Sequence, residues 1–349
     1  MYSTISNQET KMKTLYALFI SKWKFVFKII SGAIIPIVVV AQPVTVRVAD
    51  FLPPTHVFYT CSVERWVNQI EKEAKEKINI TYSGNGKTLN GSEMLDGVRK
   101  GVADIGVMVV DYWPDRLGLA SFSSLPFVFS DPTRGTEILR KLLQGTMGEN
   151  FRKDGIEPVM ILLTTPRQLS LAKNKVRSLD DIRGLKLRGI GWEAKTLEAL
   201  GASVVTMSAA EGTTSQKTGV IDGQSQAYYG FSGWGLMDVT EQVVELRGYT
   251  HTLVIVGANQ QKWNSWSKDT KDIMMKISRN IESGWVDCQN NADKVVIDDL
   301  KKKGIPTYRL SDAELVRAKN ITKSVMDKWL VANGANGKKV YEEYLDIVK

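Results

Sequence analysis

The chain has 349 residues, 43% hydrophobic and 24% charged, with 28 glycines and 10 prolines. That composition excludes collagen-like, disordered and disulfide-scaffold classes, and the length suits about two domains with buried cores. The formal net charge is +8, but residues 1–41 carry five lysines against Glu9 alone, leaving 41 basic and 37 acidic residues in the rest, a balance that implies no nucleic-acid partner.

Residues 1–41 read as an export signal. Lys11–Lys28 is basic, Ile29–Val40 is apolar, and Ala41 is a small residue at the end, the layout of a secretory leader cleaved after Ala41. A membrane anchor needs roughly 20 apolar residues, more than this run supplies. With no Cys at the cleavage point, lipidation is not expected, and the mature protein is expected in the periplasm. Cys61 and Cys288 would then sit in an oxidising space; a pair and two separate buried thiols both remain open.

The mature chain alternates strands and helices. Val44–Phe51 alternates apolar and polar residues and predicts a strand. Pro53-Pro54 breaks it, and helical spacing of Val57, Val63, Trp66, Val67, Ile70 and Ala74 predicts a helix over Val57–Lys77. Strands are expected at Ile78–Tyr82 and Ala103–Val110, with a helix from Ser92 to Lys100 closed by Gly101. A second set follows: strands at Pro158–Leu163, near 169–174, at Leu185–Arg188 and at Ser203–Thr206. Ser178–Ile182 has the pattern of a capped turn, and a helix over Trp192–Leu200 ends at Gly201. Long helical patterns cover Asp269–Lys303, Ser311–Leu330 and Tyr341–Ile347. This rhythm implies α/β architecture with parallel strands joined by right-handed crossovers, in two lobes.

The segment Ser178-Leu179-Asp180-Asp181-Ile182-Arg183-Gly184-Leu185-Lys186-Leu187-Arg188 resembles the signature of family 7 solute-binding proteins of tripartite ATP-independent periplasmic (TRAP) transporters. Leu200-Gly201-Ala202, Met207-Ser208 and Thr218-Gly219-Val220-Ile221-Asp222-Gly223-Gln224 continue the match. Tyr249–Thr252, Trp263–Ser267, Gly101–Gly106 and Leu125-Pro126-Phe127 extend it over nearly the whole mature chain. The ligand side departs from the family pattern. The Tyr expected within Glu211–Gly219 is lost, Gln226 stands where many members have Asn, and Tyr228–Trp234 is unusually rich in aromatics and glycine.

The resemblance implies a two-lobe clamshell with a long inter-lobe helix. Lobe I would hold residues 42–160 and about 247–268, and lobe II residues 161–246. Residues 269–349 would pack across both. It also implies capture of a small organic acid, delivered to TRAP permease subunits. Arg188 would make a paired contact with the ligand carboxylate, with Arg167 assisting; the planar guanidinium fork suits that geometry. Tyr112, Trp113, Trp192, Gln226 and Tyr229 are the further candidate ligand contacts. Aromatics in three such segments suggest an aromatic, keto or sugar acid. Asp222 and His251 read as structural, and His56, at the head of the first helix, as a weaker candidate.

No cofactor and no metal are expected, since two distant histidines and two cysteines lack the spacing of a zinc site. A monomer is expected, with a homodimer as the alternative. Two other functions were weighed: a ligand-sensing periplasmic receptor for a signalling partner, and a secreted α/β hydrolase. The sequence has no G-x-S-x-G, P-loop or H-E-x-x-H motif, so no enzyme is expected.

Overall fold

The computed structural model describes residues 42–173 and 176–349; the expected leader lies outside the described residues. Its first part holds β1 (Val44–Ala49), α1 (Glu64–Ala74, entered through a π-helical turn at Tyr59–Val63), β2 (Ile78–Ser83), α2 (Met94–Arg99) and β3 (Ile105–Val109). Then come α3 (Pro132–Leu142), α4 (Thr146–Lys153), β4 (Ile156–Leu163), β5 (Arg167–Leu171), β6 (Lys186–Arg188), α5 (Gly191–Ala199) and β7 (Ser203–Val205). The chain continues through α6 (Ala209–Lys217), β8 (Gly223–Ala227), α7 (Tyr228–Gly233), β9 (Gln242–Glu245) and β10 (Leu253–Asn259). It ends with α8 (Gln260–Ser265), α9 (Lys268–Lys302), β11 (Thr307–Arg309) and α10 (Asp312–Val348).

Two sheets form, with strand orders β2-β1-β3-β10-β4 and β11-β9-β5-β8-β6-β7. β1 lies parallel to β2 and β3, as the alternation predicts. The all-parallel expectation fails at β10, which returns from the second sheet and inserts antiparallel between β3 and β4. β5 likewise runs antiparallel to β8 and β9. Both sheets are therefore mixed, because strands that re-enter a sheet after visiting the other need not arrive by a crossover.

Side-chain alternation divides the first sheet between two cores. Val46, Val48, Val107 and Val256 pack with Trp66 and Trp285 beneath α1 and α9. Ala49, Met108, Leu253 and Ile255 face Phe122 and Trp329 on the other side. The second sheet buries Leu169, Leu171, Leu187 and Leu197. The separate helices expected at 311–330 and 341–347 lie on either side of a break within α10 at Gly334, whose non-helical φ of 54° favours glycine.

The chain passes between the sheets along two neighbouring connectors. Thr164 N–H donates to Thr252 O at 3.0 Å, and Arg167 N–H to Thr250 O at 3.1 Å. His251 Nδ1 meets Thr164 O at 2.8 Å, which ties this buried histidine to the neighbouring connector. The long helix α9 braces the same place: Trp285 Nε1 donates to Leu163 O at 2.7 Å, and Thr165 N–H to Gln289 Oε1 at 2.8 Å. Cys61 and Cys288 form a disulfide with Cα atoms 6.1 Å apart, tying the turn before α1 to α9 and settling the open question of their pairing.

Candidate functional site

A cavity lies where strand ends of both sheets meet, the usual ligand position in open α/β sheets. The first sheet contributes Phe51 and Leu52 beyond β1, His56 and Phe58 from the following turn, and Val109 and Tyr112 at the end of β3. The second contributes Arg167, Arg188, Ile190, Gln226, Tyr229 and Trp234. Thr164 and Thr252 of the connectors complete the wall. Its volume is about 50 Å³, several times the roughly 10–15 Å³ that one water needs on the same measure. Outside it, a wider mouth bounded by Phe51, Tyr112, Trp234, Asn90–Ser92 and Ser208–Glu211 leads to solvent.

Five candidates from the sequence thus reach the cavity: Arg188, Arg167, Gln226, Tyr229 and Tyr112. Trp113 and Trp192 do not. Both pack against the apolar cluster around Phe122 and Trp329, where burying indole area outweighs exposing it in a small polar-tipped cleft. Phe51 and Trp234 stack across the mouth, with ring centroids 6.4 Å apart and planes at 13°.

Arg167 and Arg188 flank β8, pairing in register with Ala227 and Gln224 respectively. Arg167 is fully engaged. Its Nε donates to Glu193 Oε1 at 2.6 Å, its Nη1 to Thr252 Oγ1 at 3.0 Å, and its Nη2 to the Ser225 carbonyl. Glu193 also accepts from Tyr249 OH at 2.6 Å and from Ser225 Oγ. Burial opposes the Arg167 charge, but Glu193, Tyr249 and Asp111 outweigh it and hold the guanidinium above its ordinary range.

Arg188 is 1% exposed. Its Nε donates to Met207 O at 3.0 Å and its Nη1 makes a long contact of 3.4 Å with Ser225 O. Among the described residues no carboxylate lies within ion-pair distance of it. Burial therefore pulls this guanidinium below its ordinary range, with Tyr112 opposing and Arg167 adding to the effect. A buried cation that lacks a counter-ion is a site prepared for an anion.

His56 lines the cavity beside the aromatic groups, its ring 5.8 Å from Tyr229 in an edge-to-face arrangement and 4.9 Å from Trp234. Tyr229 is itself held by Asp293 of α9, whose Oδ1 accepts the Tyr229 amide at 2.7 Å. Asp222 accepts from Lys186 N–H at 2.7 Å and is structural. Sequence reasoning missed Glu193, Ser225, Phe51 and Phe58. Glu193 carries only a helix-start signal, its Oε2 accepting from Ile190 N–H at 3.4 Å, and its partnership with Arg167 is made by packing.

Comparison with known proteins places this geometry. The sequence model of the family described as bacterial extracellular solute-binding protein, family 7 (DctP) matches residues 48–332. The chain is 22% identical over 277 residues to an uncharacterized protein of Haemophilus influenzae, covering 76% of this chain and 83% of that one. Its fold is similar to a TRAP solute-binding protein from Rhodoferax ferrireducens in complex with copurified benzoate, with TM-score 0.81, 17% identity, and 87% and 97% of the two chains covered. It is also similar to a TRAP periplasmic solute-binding protein from Bordetella bronchiseptica with bound (R)- and (S)-mandelate, with TM-score 0.78, 23% identity, and 86% and 98% covered.

Proposed function

The chain belongs to the family 7 bacterial extracellular solute-binding proteins, and from that premise we propose that it captures a small, ring-bearing organic acid and delivers it to the permease of a TRAP-type secondary transporter. Arg188 carries the reading. It is a buried guanidinium at the end of β6, without a counter-ion among the described residues, in a cavity whose other cation, Arg167, is already paired with Glu193 and whose remaining lining is neutral. A carboxylate would supply the missing charge and accept two parallel hydrogen bonds from the fork. Phe51, Phe58, Tyr229 and Trp234 offer faces and edges to a flat body. The benzoate and mandelate held by the similar proteins above are acids of this kind.

In this reading Arg167 positions the site, holding Ser225 and Glu193 so that Arg188 keeps a fixed direction. The protein is a carrier, and chemistry on the ligand is not part of its role. Residues 1–41 direct export and are removed after Ala41, and the mature protein acts as a monomer in the periplasm. Lobe I carries the first sheet through β4 (Ile156–Leu163) and β10 (Leu253–Asn259), and lobe II the second sheet from β5 (Arg167–Leu171) onward, so the boundary expected at 160/161 shifts past the end of β4, with the long helices across both. The paired connectors at 164–167 and 249–252 are the hinge, and the ligand biases the equilibrium by preferring the closed form.

Mass spectrometry of small molecules released from the purified protein tests this. A carboxylic acid at near-stoichiometric yield is the expected result, rebinding in a calorimetric titration. A released ligand that lacks any acidic group would overturn the reading.

A further inference from the structure

We infer that this cavity selects a monocarboxylate whose uncharged end carries a hydrogen-bond acceptor, and that His56 reads that acceptor; the inference rests on the organic-acid reading above. Charge accounting gives the first half. The cations lining the cavity are Arg167 and Arg188. Arg167 is already committed to Glu193, Thr252 and Ser225, which leaves Arg188 as one uncompensated charge. A second carboxylate on the ligand would find no further free cation in the lining, only neutral polar groups such as Thr164, Thr252 and Gln226 among apolar and aromatic walls, and neutral groups repay the desolvation of a charge poorly.

The hydrogen bonds of His56 give the second half. Its Nδ1 accepts from the Phe58 amide N–H at 3.1 Å. An imidazole nitrogen that accepts carries no proton, so the neutral ring holds its proton on Nε2. That Nε2–H is buried and has no acceptor among the described residues, although His56 belongs to the cavity wall and is only 4% exposed. Burial keeps the ring neutral, its pKa pushed down to about 3. The imidazole is also firmly placed. It packs between Tyr229 and Trp234, over Gly233, where a β-carbon would collide with its Cδ2. A buried donor without an acceptor is costly, and a hydroxyl or keto oxygen on the bound ligand removes that cost.

Calorimetric titration at pH 7 with benzoate, 3-hydroxybenzoate, 4-hydroxybenzoate, mandelate and isophthalate tests both halves. The parent is expected to bind at least one oxygen-substituted monoacid about tenfold more tightly than benzoate, and isophthalate at least about a hundredfold more weakly than that monoacid. His56→Phe should lose the tenfold preference, binding the oxygen-substituted monoacid no more tightly than benzoate. Gly233→Ala, which displaces the imidazole while keeping it, should lose the preference too. A preference that survives in both variants, or isophthalate bound as tightly as the best monoacid, overturns the inference while leaving the organic-acid reading in place. A parent that binds none of these acids and releases no carboxylic acid on purification overturns both.

Discussion

β5 and β6 lie on either side of β8, and each turns one buried arginine toward the same cavity. Around Arg167 the chain has assembled a closed set of partners: Glu193, Thr252, Ser225 and, one step away, Tyr249. Around Arg188 it has supplied two backbone carbonyls, one of them at long range, and no carboxylate among the described residues. The same residue type at nearly the same depth therefore does two jobs. In the proposed reading, a guanidinium whose fork is filled by the protein is architecture, and one whose fork stays open is recognition. The carbonyl of Ser225 touches both, so the structural arginine sets the register of the recognising one.

The largest effect should come from the open side. Removing one partner of a buried ion pair costs on the order of 3–5 kcal/mol, and about 1.4 kcal/mol is tenfold in affinity. Arg188→Ala should weaken binding of the identified acid by roughly two to four orders of magnitude. Because it also removes an uncompensated buried charge, the ligand-free variant should melt no lower than the parent. Arg188→Lys should recover only part of the affinity, since an ammonium keeps the charge without the two-pronged geometry. Arg183→Ala, on an exposed residue of the same segment, is the control. Titration of Arg188→Ala within about threefold of the parent would break the contrast between the two arginines.

On the closed side the same kind of loss should appear as stability. Glu193→Gln leaves Arg167 buried beside a neutral group, and breaking such a pair costs about 3–5 kcal/mol. At about 2–4 °C per kcal/mol for a domain of this size, the melting temperature should fall by roughly 6–20 °C. Thermal unfolding followed by circular dichroism measures it. A drop of less than about 2 °C would show that Arg167 is not held by its carboxylate, and the division between architecture and recognition would lose its basis.

Asp111 sharpens the comparison further, because it is a second carboxyl near the closed side. It is fully buried, accepts from Ser124 Oγ at 2.7 Å, and lies against Gly191 at the start of α5. Burial pushes its pKa up to about 7, with Ser124 lowering it, Glu193 raising it and Arg167 lowering it. An unfolded Asp titrates near 4. Between about pH 4 and 7 the folded state therefore binds a proton that the unfolded state does not, and this group's contribution to stability is lost as pH rises through that window. Asp111→Asn should remove this loss. Relative to the parent, the variant should gain on the order of 1 kcal/mol per pH unit between pH 5 and 7. Asp293, raised to about 6 by burial, acts in both proteins and cancels in the difference. Denaturant melts at pH 5, 6 and 7 with a constant difference would show that Asp111 does not hold that proton.

How much of this was legible in the sequence depended on how local each feature is. Ser178-Leu179-Asp180-Asp181 specifies its own turn, and Asp181 accepts from Ser178 N–H at 2.9 Å as the spacing predicts. Gly101 and Gly201 sit at positive φ where the helices were expected to stop. The antiparallel insertion of β10 was not legible, because it depends on which distant strands it meets rather than on its own residues. The family resemblance had Arg167 assisting Arg188 at one carboxylate. What separates them is Glu193, a residue whose local pattern announces only a helix start. Trp113 and Trp192 fall outside the cavity lining for the same reason: an aromatic beside a lining residue is equally suited to the core behind it.

The smallest predicted effect reads the aromatic wall that both arginines face. Trp234 lines the cavity and stacks on Phe51 across its mouth, whereas Trp192 packs into the cluster around Phe122 and Trp329. An acid seated on Arg188 replaces water beside the Trp234 ring and leaves the surroundings of Trp192 unchanged. Binding should therefore shift the intrinsic tryptophan emission of the parent by a few nanometres. Trp234→Leu should lose most of that shift, and Trp192→Leu should keep it. The experiment is informative because indole emission follows local polarity, so it reports which side chains the ligand desolvates independently of how tightly it binds. A shift that survives Trp234→Leu and vanishes in Trp192→Leu would move the ligand off the wall shared by the two arginines and toward α5, and the open fork of Arg188 would then need a different occupant.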